Sequence, residues 1–307
     1  MPSVSSLDEA CRLLAAAHAA GRRVRIGDDL TTGGLDRILE HETGDLTCTV
    51  ETGMRLSALN EALGRSGQRL SLDPPGDPTI GALLATNVSG PLRHRFGAPR
   101  DLVLGVTLVL ADGTVASAGG KVVKNVAGYD LARLVCGSFG RLALIVRASF
   151  RLHPLPKAAE TLVIETGDAA TVVARLLGSQ LQPSALDVLH PGRVALLFEG
   201  SQRAVEAQVE ATRELVGGVE AGPDVWHESR ERQAGARART RFDPGRLGET
   251  LVRLADAVVR PVAGLAYTRE EQTSGCSEPQ SPDPTDPVDE LVRRIERELD
   301  PQGVFAA

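Results

Sequence analysis

Apolar positions along this chain follow two rhythms, one helical and one extended, and the changes between them mark out most of its elements. Ala10, Leu13, Leu14 and Ala17 share one helical face; the capping-box pattern Ser6-Leu7-Asp8-Glu9 precedes them and Gly21 ends them. Val24 and Ile26 predict a short strand, and residues 46–50 alternate as another. Leu56, Leu59 and Leu63 predict a helix that Gly64 and Gly67 stop. Residues 102–110 form a long apolar run of the buried-strand kind. The turn Ala111-Asp112-Gly113-Thr114 folds them back onto residues 115–117. Leu131, Leu134 and Val135 predict a short helix after Tyr129-Asp130; residues 142–146 predict a buried strand that continues by alternation through Phe150 and Leu152.

The pattern changes at His153-Pro154-Leu155-Pro156, where two prolines close the strand and mark a boundary. Beyond it come a strand at 161–164, a helix at 169–177, strands at 185–189 and 194–198, and a helix with Val205 and Val209 on one face. Residues 230–241 are rich in arginine and read as a solvated loop or hairpin. Pro279, Pro282, Pro284 and Pro287 give residues 278–287 the character of an extended linker. Asp286 then caps a last helix with Pro287 in its first turn and Val288, Leu291, Val292, Ile295 and Leu299 as a buried stripe. There is no internal repeat.

Composition narrows the function. A chain of 307 residues can bury a sizeable core and holds about two domains. A formal charge of −6 argues against non-specific nucleic-acid binding. No apolar run approaches the ~20 residues of a membrane span. The first residues lack a basic segment followed by an apolar core, so no signal peptide is expected. Cys11, Cys48, Cys136 and Cys276 are scattered, which opposes a zinc site or iron–sulfur cluster and suits buried thiols in a reducing cytoplasm. His18, His41, His153, His190 and His227 show no spacing for metal ligation or a catalytic triad.

The chemistry concentrates between residues 73 and 146. Asp73-Pro74-Pro75-Gly76-Asp77-Pro78-Thr79-Ile80-Gly81 is followed by Ala85-Thr86-Asn87-Val88-Ser89-Gly90. Then come Lys121-Val122-Val123-Lys124-Asn125-Val126-Ala127-Gly128-Tyr129-Asp130 and Gly137-Ser138-Phe139-Gly140. Glycines beside short hydroxyl and amide side chains let backbone N–H groups approach a long, phosphate-bearing ligand. In their order these segments resemble the FAD domains of the vanillyl-alcohol-oxidase and p-cresol-methylhydroxylase (PCMH) type. Within that type they look most like the FAD-binding subunit of bacterial glycolate oxidases. The resemblance is good over residues 45–156 and weaker elsewhere. It implies an α+β fold: a PCMH-type FAD-binding domain of two subdomains over residues 1–156, a small α+β cap for substrate or partner over 157–277, and a linker with C-terminal helix over 278–307.

Carried over residue by residue, the resemblance implies that Asp73, Pro74, Gly76, Thr79, Ile80, Gly81, Thr86, Asn87, Ser89 and Gly90 line the cofactor. So do Gly137, Ser138, Gly140, Ile145 and Val146 of the strand-edge segment. A side chain at Gly81 would then occupy cofactor space. Lys124 or Lys121 is placed to stabilise the negative charge of a reduced flavin, with a solvated surface amine as the plain alternative. Two departures stand out. Ala143 replaces a family glycine. Upstream, the family's glycine-rich pyrophosphate loop and the strand after it are shortened to residues 25–38, with Asp28 and Asp29 where the pyrophosphate should approach. Arg93-His94-Arg95 is a cationic patch suited to a substrate carboxylate or an acidic partner, or else a solvated turn.

The resemblance implies an FAD-linked oxidoreductase, or the FAD-binding subunit of one, that passes hydride from a small 2-hydroxy acid such as glycolate to flavin N5. No catalytic base and no metal site is identifiable. The cap offers few ionisable groups at catalytic spacing. The resemblance therefore also implies partner subunits: a second flavoprotein and an iron–sulfur protein. The opposing reading is a non-catalytic scaffold subunit that has lost tight FAD binding, favoured by the shortened first loop.

Overall fold

The structure is a computed structural model that describes residues 3–120, 130–269 and 287–305, the side chains of 287–289 excepted. Its helices pack on two antiparallel sheets, an α+β arrangement as expected.

The first sheet runs in the order Ile38–Glu42, Thr47–Glu51, Leu144–Arg151, Val103–Val109, Val115–Gly119. Side chains alternate across it. Val106, Leu108, Ile145, Ala148 and Phe150 face a core closed by helices Leu56–Gly64, Ile80–Thr86 and Leu131–Val135. Val109, Leu144 and Val146 face a second core with helix Leu7–Ala19, Val304 and Phe305. The edge strand Ile38–Glu42 escapes the hydrophobic pattern because it is half charged, as an unpaired sheet edge favours.

The second sheet runs Val219–Ala221, Ala158–Glu165, Arg193–Gly200, Ala185–His190, Ala257–Arg260, Leu265–Thr268, Ala238–Arg241. Helices Ala169–Leu177, Gln202–Val216 and Leu247–Val252 cover one face, and helix Asp224–Ala234 covers the other through Val225 and Trp226. The chain passes between the sheets at His153–Pro154, which pairs with Gln68–Arg69 in a two-stranded ribbon.

Four expectations need correction. Ser6 caps Glu9 N at 3.2 Å, but Glu9 Oε2 receives the amide and hydroxyl of Ser5, each at 2.8 Å, so the reciprocal contact falls one residue early. Val24 and Ile26 make isolated bridges to Phe305 and Leu30 rather than a strand, because the chain turns back at once through Asp29 N to Arg25 O at 2.8 Å. Of the arginines of 230–241, Arg230 and Arg232 lie on helix Asp224–Ala234, Arg239 and Arg241 on strand Ala238–Arg241, and Arg237 between the two. There Arg232 is held by Glu228, Asp256 and the His190 carbonyl rather than by water. In the last helix, Pro287–Leu299, Leu291 and Val292 are 56% and 39% exposed. That helix is fastened past its end instead, where Asp300 accepts from Val304 N and Phe305 N at 2.8 and 2.7 Å.

Candidate functional site

A cleft of about 530 Å³ opens where the first sheet meets the loop after the first helix, a size within the roughly 300–1,000 Å³ of small-molecule sites. Three segments build it. Ile26, Gly27, Thr31, Thr32 and Gly33 form one wall; Thr79, Gly81, Ala82, Ala85 and Thr86 form the second. Phe139, Gly140, Ala143, Leu144 and Ile145 close it. The lining holds threonines, glycines and small apolar side chains, and none of it is ionisable.

Local chemistry sets each wall. Thr79 begins helix Ile80–Thr86 by accepting from Ala82 N at 3.3 Å, which leaves Ala82 and Ala85 on the cleft face. Gly81 N donates to Thr52 O at 2.7 Å, and Thr52 Oγ1 donates to Ile145 O at 2.6 Å, tying the helix to the strand. A Cβ on Gly81 would meet Thr52 O at 3.2 Å, so the crowding there comes from the chain's own backbone and not from the cleft. Gly140, at φ +77°, admits Ile26: a Cβ would stand 2.8 Å from Ile26 Cβ. Phe139 also has positive φ, 54°, and is 60% exposed over the cleft. A bulky residue in that region is strained and is kept there by its surroundings; Phe139 N donates to Ala85 O at 2.9 Å.

Of the residues expected to line a cofactor, Thr79, Gly81, Thr86, Gly140 and Ile145 meet in this cleft. Ile80 and Val146 are buried in the two cores, and Pro74 is buried away from it. Gly76 is exposed at φ +69°. Asn87 ends the helix at φ 50° and accepts from Arg100 N at 3.1 Å, so it caps the chain. Gly137 N is held by Leu84 O at 3.0 Å. Ser138 Oγ is buried without a hydrogen-bond partner among the described residues. Lys121 and Lys124 lie outside the described residues. Asp28 and Asp29 do not line the cleft; both turn to Arg25, and the amide of Arg25, 2.9 Å from Asp29, lowers the carboxyl's pKa. Ala143 is only 2% exposed and leaves the wall open. Sequence reasoning missed Thr31, Thr32, Ala82, Ala85 and Phe139. Ala85 and Phe139 lay inside recognised motifs, and Thr31 and Thr32 inside the shortened first loop, whereas Ala82 carried no signal.

Asp73, Ser89 and Gly90 sit instead at the junction of the two sheets. A Cβ on Gly90 would meet Asp73 O at 1.7 Å, so glycine is obligatory at that contact. Asp73 Oδ1 accepts from Leu92 N at 3.0 Å and Oδ2 lies 3.7 Å from Arg230 Nη1. Burial lifts this carboxyl to about 7 despite the nearby Arg260, Leu92 amide and Arg230. Ser89 O accepts from Arg260 Nη1 at 3.1 Å and from Gln233 Nε2 at 3.0 Å. Arg260 faces the fully buried Asp187 at 3.5 Å, whose Oδ2 accepts from Ser229 Oγ at 2.5 Å. Burial raises Asp187 as well.

The cleft suits a dinucleotide flavin. It is uncharged, the space beside Gly27 is open to close approach, and its threonines supply hydrogen-bonding groups. Residues 29–119 match the family model described as FAD binding domain. Glycolate oxidase subunit GlcE of Escherichia coli is 34% identical over 203 residues, which is 64% of this chain and 56% of that protein. Subunit GlcD of Bacillus subtilis is 35% identical over 171 residues, 52% of this chain and 36% of that protein. The mitochondrial cytochrome-type D-lactate dehydrogenase 1 of Saccharomyces cerevisiae is 30% identical over 179 residues, 56% and 30%. The chain thus matches about a third to a half of the length of these relatives. Among solved structures, an alkyldihydroxyacetonephosphate synthase superposes with a TM-score of 0.75 at 16% identity, covering 98% of this chain and 75% of that one. That likeness concerns the fold alone.

Proposed function

We propose that this chain, which carries an FAD binding domain over residues 29–119, is an FAD-linked oxidoreductase or the FAD-binding subunit of one. Its substrate is a small 2-hydroxy acid such as glycolate, and it works beside further subunits, a second flavoprotein and an iron–sulfur protein among them. The observation that carries the reading is the uncharged cleft, built from loops that resemble flavin-binding segments. Bound FAD would supply a two-electron acceptor for the hydride on the carbon bearing the hydroxyl. The protein's own share is a wall that admits a planar group without a competing charge. Similarity to two glycolate oxidase subunits and a D-lactate dehydrogenase supports the substrate class. The free Cys11, Cys48 and Cys136 fit a reducing compartment, and no helix among the described residues is long and apolar enough to cross a membrane.

The visible spectrum of purified protein tests this. Flavin bands, released on denaturation and bleached anaerobically by glycolate or D-lactate, are expected. Colourless protein with no thermal shift on adding FAD would favour the scaffold reading instead. Bleaching by this chain alone, followed by fast turnover with an artificial acceptor, would remove the need for partners.

A further inference from the structure

The sheet junction carries more arginines than its buried carboxylates match. Arg260 is matched by Asp187 at 3.5 Å and Arg230 by Asp73 at 3.7 Å. Arg93, half-buried on the short helix Arg93–Phe96, gives Nη1 to Ser89 Oγ at 3.1 Å and has no ion-pair partner among the described residues. Asp101, its acidic neighbour, already caps Ala98 N at 2.8 Å. Arg93 and Arg260 therefore converge on one residue, Ser89, itself 2% exposed. The Tyr267 ring lies 5.0 Å from Arg260 Cζ. Arg241, exposed on the neighbouring edge strand, pairs with Leu265, two residues from Tyr267, and so shares the face of the sheet on which Tyr267 stands. Burial lowers the pKa of Arg93; Tyr267 and Asp101 oppose that, and the fields of Arg260 and Arg241 add to it. A desolvated guanidinium with spare N–H groups is a receptor for a carboxylate, which it can grip with two parallel bonds. Ser89 is three residues from Thr86 of the cleft wall, so the backbone that holds the receptor stands within about 11 Å of that of the wall.

We propose that Arg93, held on Ser89 beside Arg260 with Arg241 adding to the local positive field, receives the carboxylate of the 2-hydroxy acid and so sets the chain's preference for acids over neutral alcohols. The proposal rests on the oxidoreductase reading above. Oxalate, a small dicarboxylate with no hydride to give, is the probe, titrated calorimetrically into the FAD-loaded protein. Arg93→Gln should weaken oxalate about ten- to a hundred-fold, the loss of one charge-assisted contact. Arg93→Lys should recover part of it. FAD occupancy and Tm should hold, and Arg95→Gln, whose wild-type Nη1 goes instead to Ser184 Oγ at 3.5 Å, should leave oxalate binding unchanged. If Arg93→Gln does not fold, the exposed Arg241→Gln serves, with weaker oxalate binding expected. Wild-type protein that ignores oxalate, or variants that bind it as wild type does, would overturn the proposal. Flavin bleached by glycolate equally well in Arg93→Gln would sink the receptor and leave the oxidoreductase reading standing. Oxalate binding that needs Arg93, in a protein whose flavin no hydroxy acid reduces, would do the reverse.

Discussion

Arg69 grips Glu199 with both terminal nitrogens, Nη1 to Oε1 at 2.8 Å and Nη2 to Oε2 at 2.6 Å, and so clamps the Gln68–Arg69 ribbon onto the second sheet. The two side chains are only 16% and 8% exposed. Removing one partner of such a pair leaves a buried charge uncompensated. Arg69→Ala should therefore cost about 3 kcal/mol in denaturant unfolding. The double variant Arg69→Met, Glu199→Met should cost clearly less, since it leaves no orphan. Equal losses would mean that an orphaned charge is not what removing Arg69 costs.

Ala82 offers a direct way to block the cleft. It is exposed, lines the cavity and lies inside a helix, so a large side chain there meets the ligand space before it meets the core. Ala82→Trp should lower FAD affinity at least about ten-fold while moving apo-protein stability by only about 0.5 kcal/mol, as surface substitutions do. Gly81→Val is a poorer test, because Thr52 O stands 3.2 Å from the new Cβ and stability would fall with affinity. Unchanged FAD affinity in Ala82→Trp would place the flavin elsewhere.

Asp73 predicts a pH dependence. Its carboxyl rises from an ordinary 3.8 to about 7 in the folded protein. Below about pH 4 the proton is bound in both states. Between about 4 and 7 the folded protein keeps a proton that the unfolded chain has released, so stability falls as pH rises through that window and the loss is complete above it. Asp73→Asn, whose amide oxygen can still accept from Leu92 N, should flatten this slope. It should be more stable than wild type at pH 8 by at most about 4 kcal/mol. A residual slope of the same sign should remain from Asp187, which burial also raises. Chemical denaturation of both proteins at pH 5 and pH 8 measures the difference.

Trp226 is the chain's single tryptophan and reports on the second sheet alone. Its Nε1 donates to Thr161 Oγ1 at 2.9 Å under helix Asp224–Ala234. Flavin absorbance, by contrast, would report on the cleft of the first sheet. The contacts of Arg69 with Glu199 and of Arg260 and Gln233 with Ser89 couple the two. Urea transitions followed by tryptophan fluorescence and by flavin release should therefore coincide. Two separated transitions would show that these contacts do not make one cooperative unit.

What the chain's pattern alone determined is whatever local periodicity encodes. Leu56, Leu59 and Leu63 announced helix Leu56–Gly64, which buries one face against a single core, and residues 102–110 announced strand Val103–Val109, whose two faces bury in two cores. The glycine- and threonine-rich segments announced a region of close backbone approach, and part of them lines the cleft. Helix Asp224–Ala234 stayed hidden, since its polar side chains are satisfied by distant partners that no local window contains, Arg232 by Asp256 and the Ser229 hydroxyl by Asp187. Only tertiary packing decided which motif residues face the cleft. Thr79 and Thr86 do, whereas Asn87 became a cap, Gly90 a contact with Asp73, and Ser89 the meeting point of Arg93 and Arg260. The physical reason is that glycine, asparagine and serine serve a turn, a close backbone contact and a ligand equally well, and the three are told apart only by what the rest of the fold brings within 3 Å.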